Sequence, residues 1–569
     1  MSTIRIWLYC IAIPIVFVLA RRTYNLYNNY CTARKLGIAI VVAPIGWQDD
    51  AWLLCWQWFT WMKRIPFVDS WFDYSRFSWT QDLRHRPHQR LGDAFAVVTP
   101  NGVEIMLNDP QAVNDLQTKY RNWFKPAAIF DLFNTFGKSV VTVNGDDWQR
   151  HRRIVNPAFQ EQANKLVWDE GRRQARHMLK SWAEKGNSVT IDDISRDCVV
   201  IALHVLSAAG FGQTHDFQTG VREVPSGHYR SFSDTMSFLL QNSILVLLFE
   251  SLPLPNWALP RPIRNVKNAS ADFKLYMREA IAYTKGLIHG GSTTQTAEMV
   301  TTLIKGNEAA KHEQKASGLQ PGAKPTFLSD DEVLGNLYIL NIAGFETTAN
   351  ALTYAIPYLA TNPEVQDWLH EEVDEAWKQS SSDADVEYES TFPKLTRCLA
   401  VLYETLRMWT PVSDSARWAS GESQVLKVGD KEIVVPSGVI VSSNNYGVHS
   451  DPRWWGEDSL EWKPKRWIMV DPDSKKEVIA PPPPGAAFVA WSVGPRICPG
   501  KKFSQVEFTA VLSLLVANYR LEPLLMAEKG MKTKDDGRKA ILDVIWASHN
   551  MLTPKMGRGK EAGVALVKR

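Results

Sequence analysis

The distribution of hydrophobic and polar positions predicts a chain built mostly from helices. Apolar residues recur at spacings of three and four, as on one face of an amphipathic helix, over residues 160–185, 231–249 and 329–360. The last stretch opens with Ser329-Asp-Asp-Glu332, in which a serine precedes acidic residues, a typical helix start. Because this stretch is apolar on most faces, we expect a central helix that crosses the domain.

Shorter patterns predict a few strands. Residues 95–98 and 103–107 run apolar or alternate around a Pro-Asn-Gly turn, which indicates a hairpin, and residues 425–442 predict strands that turn at Gly429-Asp430. Residues 293–325 are rich in Thr, Lys, Gly and Ala, which predicts a polar linker into the long helix. The predicted fold class is therefore mainly α with small β-sheets (α+β).

The N-terminus carries a continuous apolar run over residues 6–20. Arg5 precedes the run and Arg21-Arg22 follow it, so the cationic excess predicts a membrane anchor with the rest of the chain on the cytosolic side. A cleaved signal peptide is the alternative, but an arginine pair directly behind the run favours the anchor.

Residues 51–62 contain four tryptophans. The stretch is too short to span a bilayer. Two interpretations stay open: an element that rests on the bilayer surface, where indole rings are favoured, or an ordinary aromatic core helix. The predicted organisation is an N-terminal transmembrane anchor over 1–30, a linker with the Trp-rich membrane-proximal segment over 31–91, and one large domain over 92–569.

Composition excludes several function classes. With 64 basic and 61 acidic residues the formal charge is +3, too small to indicate a nucleic acid partner. No phosphate-binding or dinucleotide-binding glycine motif occurs, so no built-in flavin reductase domain is visible. Six cysteines without a CxxC pair indicate a reducing compartment.

One of these cysteines has unusual neighbours. Cys498 lies between Arg496 and Pro499-Gly500, after Gly494, and directly ahead of a helix-like run. The dipole and free N–H groups of a helix N-terminus favour a thiolate, the form that binds an iron ion. The two glycines would let a flat macrocycle approach closely, and Arg496 is placed to pair with an acidic group on it.

The stretch from Trp491 to Gly500 resembles the haem-binding loop, FxxGxRxCxG, of the cytochrome P450 family. Three further motifs of that family occur upstream in the expected order, and the resemblance covers everything after residue 92. They are Trp148-Gln-Arg-His-Arg152 (WxxxR), Ala343-Gly-Phe-Glu-Thr-Thr348 (the oxygen-activation motif) and Glu404-Thr-Leu-Arg407 (ExxR). The resemblance implies the cytochrome P450 fold, preceded here by the N-terminal anchor helix.

The resemblance also implies roles for individual residues. Cys498 would be the axial ligand of the iron in haem b, iron protoporphyrin IX. The other residues that would bind the haem, at its propionates or beside its ring, are Trp148, Arg152, Gly344, Arg417 and Arg496. A charge network that would hold the cysteine loop in position consists of Glu404, Arg407 and Arg466.

On the long helix, Glu346 and Thr347 are the candidate catalytic pair. The Thr347 hydroxyl can bond back to the Ala343 carbonyl and open a groove for dioxygen, while Glu346 would relay protons. Trp491 departs from the phenylalanine that usually opens the cysteine loop. Its indole N–H could bond toward the thiolate and raise the reduction potential of the iron, a hypothesis that concerns this chain alone.

The function implied is a haem-thiolate monooxygenase that oxidises a lipophilic small molecule with dioxygen, in specialised metabolite biosynthesis. Electrons would come from NADPH through an external NADPH–cytochrome P450 reductase, with cytochrome b5 as an optional further donor. The expected location is the endoplasmic reticulum membrane, with a single-pass anchor and the catalytic domain facing the cytosol.

Two other functions use the same fold: a haem-dependent isomerase or dehydratase without oxygen insertion, and a non-enzymatic haem carrier or sensor. The intact Glu346–Thr347 pair favours the monooxygenase, since neither alternative needs it. The substrate is not specified, because a terpenoid, polyketide, fatty acid or alkaloid would all suit the apolar candidate pocket segments.

Overall fold

The architecture is taken from a computed structural model, which describes residues 2–217, 224–250, 253–289, 298–317, 324–378, 386–550 and 552–569. Numbered in chain order, the α-helices are Ser2–Arg34 (α1), Asp50–Cys55 (α2), Asp69–Phe72 (α3), Trp79–Leu83 (α4), Arg86–Leu91 (α5), Pro110–Thr118 (α6), Ala127–Phe130 (α7), Gly145–Val155 (α8), Glu161–Glu184 (α9), Ile191–Phe211 (α10), Phe232–Gln241 (α11), Ser243–Phe249 (α12), Arg261–His289 (α13), Met299–Ala316 (α14), Asp330–Thr361 (α15), Pro363–Trp377 (α16), Tyr388–Thr391 (α17), Thr396–Met408 (α18), Asn445–Ser450 (α19), Pro452–Trp455 (α20), Lys501–Asn518 (α21) and Lys534–Trp546 (α22).

The strands are short and belong to small sheets. They are Ala39–Val42 (β1), Ala94–Thr99 (β2), Gly102–Leu107 (β3), Trp123–Phe124 (β4), Ser188–Thr190 (β5), Asp414–Ala419 (β6), Gln424–Val428 (β7), Lys431–Val435 (β8), Ile440–Asn444 (β9), Ile468–Val470 (β10), Glu477–Ile479 (β11), Tyr519–Pro523 (β12), His549–Asn550 (β13), Pro554–Lys555 (β14) and Gly563–Lys568 (β15). This mainly helical architecture confirms the predicted fold class.

The chain divides into two compact units, each assembled from separate stretches of sequence. The first comprises Met1–Pro126, Val412–Leu460 and Pro483–Arg496. Its centre is a six-stranded mixed sheet in the order β1-β2-β3-β9-β6-β4, in which β2 and β3 form the antiparallel hairpin predicted from the sequence. Ala96, Val98 and Ile105 of this hairpin are fully buried and form the core of the sheet.

The second unit comprises Ala127–Pro411, Glu461–Pro482 and Ile497–Arg569. Its central element is α15, which packs against α10, α18, α21 and α22. As predicted, α15 begins after Ser329, whose side chain accepts from the Glu332 N–H while the Glu332 carboxylate accepts from the Ser329 N–H. This reciprocal pair satisfies two N–H groups that a helix start would otherwise leave open.

Two sequence predictions are wrong in detail. Residues 299–316 form the helix α14 instead of a polar linker, because Val300, Leu303 and Ile304 recur at helical spacing and are buried. Residues 290–297 and 318–323 of that stretch lie outside the described residues. The single helix expected over 231–249 is two helices, since α11 ends at Gln241 and α12 begins at Ser243, with Asn242 between them.

Two helices bear on the predicted anchor. Among the helices with described side chains, the one that is long and apolar enough to cross a bilayer is α10, but 72% of its apolar window is buried within the second unit, as in a core helix. Helix α1 is different, because from residue 13 to residue 19 its large apolar side chains are more than half exposed. The anchor and the boundaries at residues 30 and 91 stay predictions.

A close backbone contact at the start of α15 gives a test of the packing. A Cβ atom added at Gly335 would lie 2.3 Å from the Gly137 carbonyl oxygen and 2.5 Å from its carbon. We expect Gly335→Ala to lower the free energy of unfolding by about 1–3 kcal/mol, because backbone has to shift to accept the methyl group. Denaturant unfolding measures this change.

Gly286 is the matched control, since it lies in α13 with no atom within 4 Å of an added Cβ. Gly286→Ala should raise the free energy of unfolding by about 0.5–1 kcal/mol through helix propensity. Equal effects of the two substitutions would contradict the close approach of Gly137 to α15.

Candidate functional site

Cys498 belongs to the second unit and precedes α21, whose N-cap is Gly500. Cys498 is exposed by its solvent-accessible surface, although many protein atoms lie around its thiol. Burial raises the pKa of this thiol, while the Gly500 N–H and the charge of Arg152 act to lower it. Arg152 Nη2 also donates to the Ile497 carbonyl at 2.8 Å, so the arginine holds the backbone beside the cysteine.

The preceding part of the cysteine loop belongs to the first unit. Ser492 Oγ and the Val493 N–H donate to Gln117 Oε1 at 2.8 and 3.0 Å. Gly494 has φ +71°, and a Cβ there would lie 2.9 Å from Thr118 Cγ2, so a side chain is excluded at this turn. Trp491 is buried and packs edge-on against Phe488, with ring centroids 5.8 Å apart. Its proposed N–H bond toward the thiolate stays a prediction.

The ExxR pair is fully buried in the second unit. Arg407 Nε and Nη2 each donate to a carboxylate oxygen of Glu404 at 2.8 Å, and Arg466 Nε donates to Oε1 at 3.0 Å. The Lys463 N–H and Trp467 Nε1 add bonds of 2.8 and 2.9 Å to the same carboxylate. Burial alone would raise the pKa of Glu404, but Arg407 and Arg466 outweigh it and hold that pKa below its ordinary value.

Trp148 and Arg152 lie one turn apart on α8, which is fixed to the start of α15. Arg150, between them, donates to both carboxylate oxygens of Glu332 at 2.6 and 2.8 Å. Trp148 is buried, and burial lowers the pKa of Arg152, a cost that an anionic partner would offset. The structure therefore gives these two residues of the predicted set a common, rigid support.

The oxygen-activation motif lies in the middle of α15. Thr347 Oγ1 donates to the Ala343 carbonyl at 3.0 Å, the bond expected from the sequence. Ala343 is exposed and Thr347 partly exposed, whereas Glu346 is buried, so the two candidate catalytic residues face different surroundings. A Cβ at Gly344 would lie 3.3 Å from the side chain of Leu206 on α10, so this glycine allows close helix packing.

Glu346 points to the C-terminal β13–β14 hairpin. Thr553 Oγ1 donates to its Oε1 at 2.7 Å, and the Lys555 ammonium lies 3.9 Å from the same oxygen. Burial raises the pKa of Glu346, and these two partners act to lower it. Sequence reasoning missed both partners, because nothing local connects residues more than two hundred positions apart.

In the first unit, the guanidinium groups of Arg417 and Arg496 lie close enough to Lys125 to affect its charge. Burial lowers the pKa of Lys125, and the charges of Arg496 and Arg417 lower it further. Burial also lowers the pKa of Arg417 to about 10. Within the described residues, the buried Nε of Arg417 has no hydrogen-bond partner.

The buried Nε of Arg417 fits a ligand with a carboxylate, since an unfilled buried donor is costly. In the first unit, guanidinium groups thus suit the propionates of a haem; in the second unit, taken by itself, a thiol at a helix N-terminus suits the iron of a haem. Lys125 was not identified from the sequence, because a lysine after Trp123-Phe124 belongs to none of the motifs.

The buried carboxylate of Glu404 gives a test of the network. Glu404→Ala leaves Arg407 buried without its counter-charge, so we expect the free energy of unfolding to fall by about 3–5 kcal/mol, as measured with denaturant. The matched control is Glu375→Ala, which removes a pair with Lys378 in which both side chains are more than 70% exposed. That substitution should change stability by about 0.5 kcal/mol or less. Similar losses in the two variants would contradict a structural role for Glu404.

Comparison with known proteins agrees with this chemistry. The family model described as Cytochrome P450 matches residues 61–542. A cytochrome P450 monooxygenase of Arthrobotrys oligospora is 27% identical over 94% of this chain and 93% of its own length. The phomenoic acid biosynthesis cluster cytochrome P450 monooxygenase of Leptosphaeria maculans is 26% identical over 92% and 94%.

The fold agrees as well. A crystal structure of a cytochrome P450, CYP102L1, superimposes with a TM-score of 0.61 at 20% identity, covering 85% of this chain and 93% of that one. The chain therefore belongs to the cytochrome P450 family of haem-thiolate monooxygenases, whose members take electrons from a redox partner, act on lipophilic substrates and are often bound to membranes.

Proposed function

We propose that this monooxygenase binds haem b through Cys498 and inserts one oxygen atom from dioxygen into a lipophilic specialised metabolite. The observation that carries the proposal is the position of the Cys498 thiol at the N-terminus of α21, beside Arg152 and the Gly500 N–H. These groups favour a thiolate, the form of cysteine that binds iron.

When bound, the haem supplies the redox chemistry that activates dioxygen. The chain's own residues would bind and orient it. Trp148 and Arg152 would hold one propionate from the support of α8, and Arg417, Arg496 and Lys125 would supply positive charge to the propionates. Glu404, Arg407 and Arg466 would keep the segment at residues 461–467 fixed on α18, so that the surroundings of the cysteine do not shift.

Proton supply would come from α15. Thr347 would position a hydrogen-bonded water, because its hydroxyl already donates to Ala343 and leaves its lone pairs to accept. Glu346 Oε1 would take up a proton from the side of Lys555, whose side chain is 35% exposed, and deliver it when the carboxylate turns toward Thr347.

Electrons would come from NADPH through a separate NADPH–cytochrome P450 reductase, with cytochrome b5 as an optional further donor. The need of the cytochrome P450 family for a redox partner supports this electron source. The exposed apolar side chains of α1 support a single-pass anchor in the endoplasmic reticulum membrane with the catalytic units in the cytosol. The biosynthetic-cluster name of the Leptosphaeria relative supports a specialised metabolite as substrate.

The test of the proposed reaction is turnover under labelled dioxygen with a reductase and candidate lipophilic metabolites, read by mass spectrometry. We expect one labelled oxygen atom in the product and a strict need for NADPH. Cys498→Ala should abolish the labelled product. Labelled product from Cys498→Ala, or product formed without dioxygen, would contradict the proposal.

The Glu346 environment predicts a pH effect. Lys555→Met removes a positive charge that lowers the pKa of Glu346, so that pKa should rise further and the carboxyl should ionise at a higher pH. The infrared carbonyl band of Glu346, assigned with Glu346→Gln, measures the shift directly. The amount of product formed per NADPH consumed depends on pH, and the midpoint of that pH dependence should move in the same direction.

Lys568→Met is the matched control, since Lys568 is exposed at the end of β15. It should leave unchanged both the infrared band of Glu346 and the midpoint of the pH dependence of product formation. If the Glu346 band does not shift in Lys555→Met, Lys555 does not affect the protonation of Glu346 and has no part in the proposed proton supply.

A further inference from the structure

A cavity lies against the six-stranded sheet of the first unit, and all its lining residues belong to that unit. Glu104 and Met106 of β3 line it, while Ile105 between them packs into the core on the other face of the sheet, because side chains alternate along a strand. The space between the lining side chains measures about 290 Å³, part of it open to solvent. A small molecule could therefore enter it.

Two carboxylates line this cavity, Glu104 from β3 and Asp414 from β6. Burial raises the pKa of Glu104 to about 7, and the charge of Asp414 acts in the same direction. Burial also raises the pKa of Asp414. Within the described part of the chain, neither carboxylate forms an ion pair. The cavity thus contains two acids that a positive charge from outside the chain would stabilise.

Neutral groups hold both carboxylates in position. Ser442 Oγ and Trp47 Nε1 donate to the two oxygens of Glu104 at 2.5 and 3.4 Å. Ser413 Oγ donates to Asp414 Oδ2 at 2.7 Å. Since a hydroxyl or an indole carries no charge, these donors orient the carboxylates without neutralising them.

A buried hydroxyl in the cavity wall is a second, independent indication of a ligand. Thr80 is 1% exposed and lines the cavity, and its Oγ1 has no hydrogen-bond partner among the described residues. Buried polar atoms in this state are uncommon, and a hydroxyl oxygen can accept from an N–H donor. Arg76 also lines the cavity, but its guanidinium is paired with Asp73 and Asp82 at 2.7 Å each, so its charge is already offset.

The rest of the wall is largely aromatic, which narrows the kind of cation. Trp47, Phe77 and Trp79 line the cavity, and the rings of Trp47 and Phe77 meet edge-on with centroids 5.6 Å apart. Ring faces attract a cation, tryptophan most strongly. Ca²⁺ and Mg²⁺ prefer a full shell of oxygen ligands, which three aromatic rings and the Met106 thioether do not offer. An alkylammonium group suits both the rings and the carboxylates.

We propose that this cavity binds the ammonium group of a small organic cation. Glu104 and Asp414 would supply the negative charge, Thr80 would accept a hydrogen bond, and Trp47 and Trp79 would contact the alkyl part and the charge. The claim is separate from the proposed oxygen chemistry, since it needs neither haem nor NADPH.

The experiment titrates the haem-loaded protein with methylammonium and follows binding by saturation-transfer NMR of the methyl signal. We expect saturable binding of methylammonium and none of methanol, a neutral molecule of similar size. An equal concentration of K⁺ should not displace the ligand, because K⁺ cannot use the aromatic wall and a hydrogen bond together.

Glu104→Gln keeps the shape of the side chain but removes its charge, so affinity for methylammonium should fall by about tenfold or more. Asp414→Asn is the second variant, with the same expected direction, and it serves if Glu104→Gln does not fold. The matched control is Glu432→Gln, since Glu432 is exposed on β8 of the same unit. That change should leave affinity unaltered.

The pH dependence of binding gives a further check. Alkylammonium groups lose their proton only near about pH 10, as lysine does, so methylammonium stays charged at neutral pH. Below pH 7 the protein must release a proton from Glu104 to bind it. Affinity should therefore rise about tenfold from about pH 6 to about pH 8, and this rise should be lost in Glu104→Gln.

Four results would overturn the proposal. They are the absence of saturable methylammonium binding, equal binding of methanol, displacement by K⁺ at equal concentration, and unchanged affinity in folded Glu104→Gln or Asp414→Asn. Displacement by K⁺ would assign the cavity to an inorganic cation. Unchanged affinity in the variants would place methylammonium elsewhere on the protein.

Discussion

A carboxylate without access to water sets the main constraint on the second unit. Glu404 is fully buried, and a buried charge is tolerated only when its partners are close and its lone pairs are filled. The donors come from two stretches of chain: Arg407 from the same helix, and a backbone N–H, a guanidinium and an indole from residues 463–467. Removing Arg407 takes away a counter-charge, and removing any other donor leaves a buried carboxylate oxygen with an unfilled lone pair. This network therefore permits little movement between α18 and that segment.

Arg417, in the first unit, presents a different case. Its buried Nε has no hydrogen-bond partner within the described residues, and its charge and that of Arg496 lower the pKa of Lys125. A guanidinium needed only for stability would be expected to fill its donors internally, as the protein does for the oxygens of Glu404. The Nε of Arg417 suits a ligand that brings its own negative charge, such as a propionate of a haem.

Much of this architecture could be predicted from local sequence. The 3.6-residue period identified α9 and α15, alternation identified the β2–β3 hairpin, and Ser329 together with the acidic residues of the first turn gave the start of α15. The prediction failed where local composition misleads. Polar residues concealed the buried stripe of α14, and nothing local marked the break at Asn242.

The site shows the same division. Short motifs identified Cys498, Glu404 with Arg407, and Thr347, because each pair or turn is encoded within a few residues. Thr553, Lys555, Trp467 and Lys125 were missed, since their contacts are made only after distant parts of the chain come together. The Trp-rich segment could be recognised, but which tryptophans face outward depended on the 3₁₀ geometry.

The central claim is that Cys498 binds the haem iron, and X-ray absorption at the iron edge of the purified protein tests it most directly. We predict a sulfur scatterer directly bound to iron in the unaltered protein and only nitrogen or oxygen scatterers in haem-loaded Cys498→Ser. A first shell without sulfur in the unaltered protein, or sulfur retained in Cys498→Ser, would contradict it.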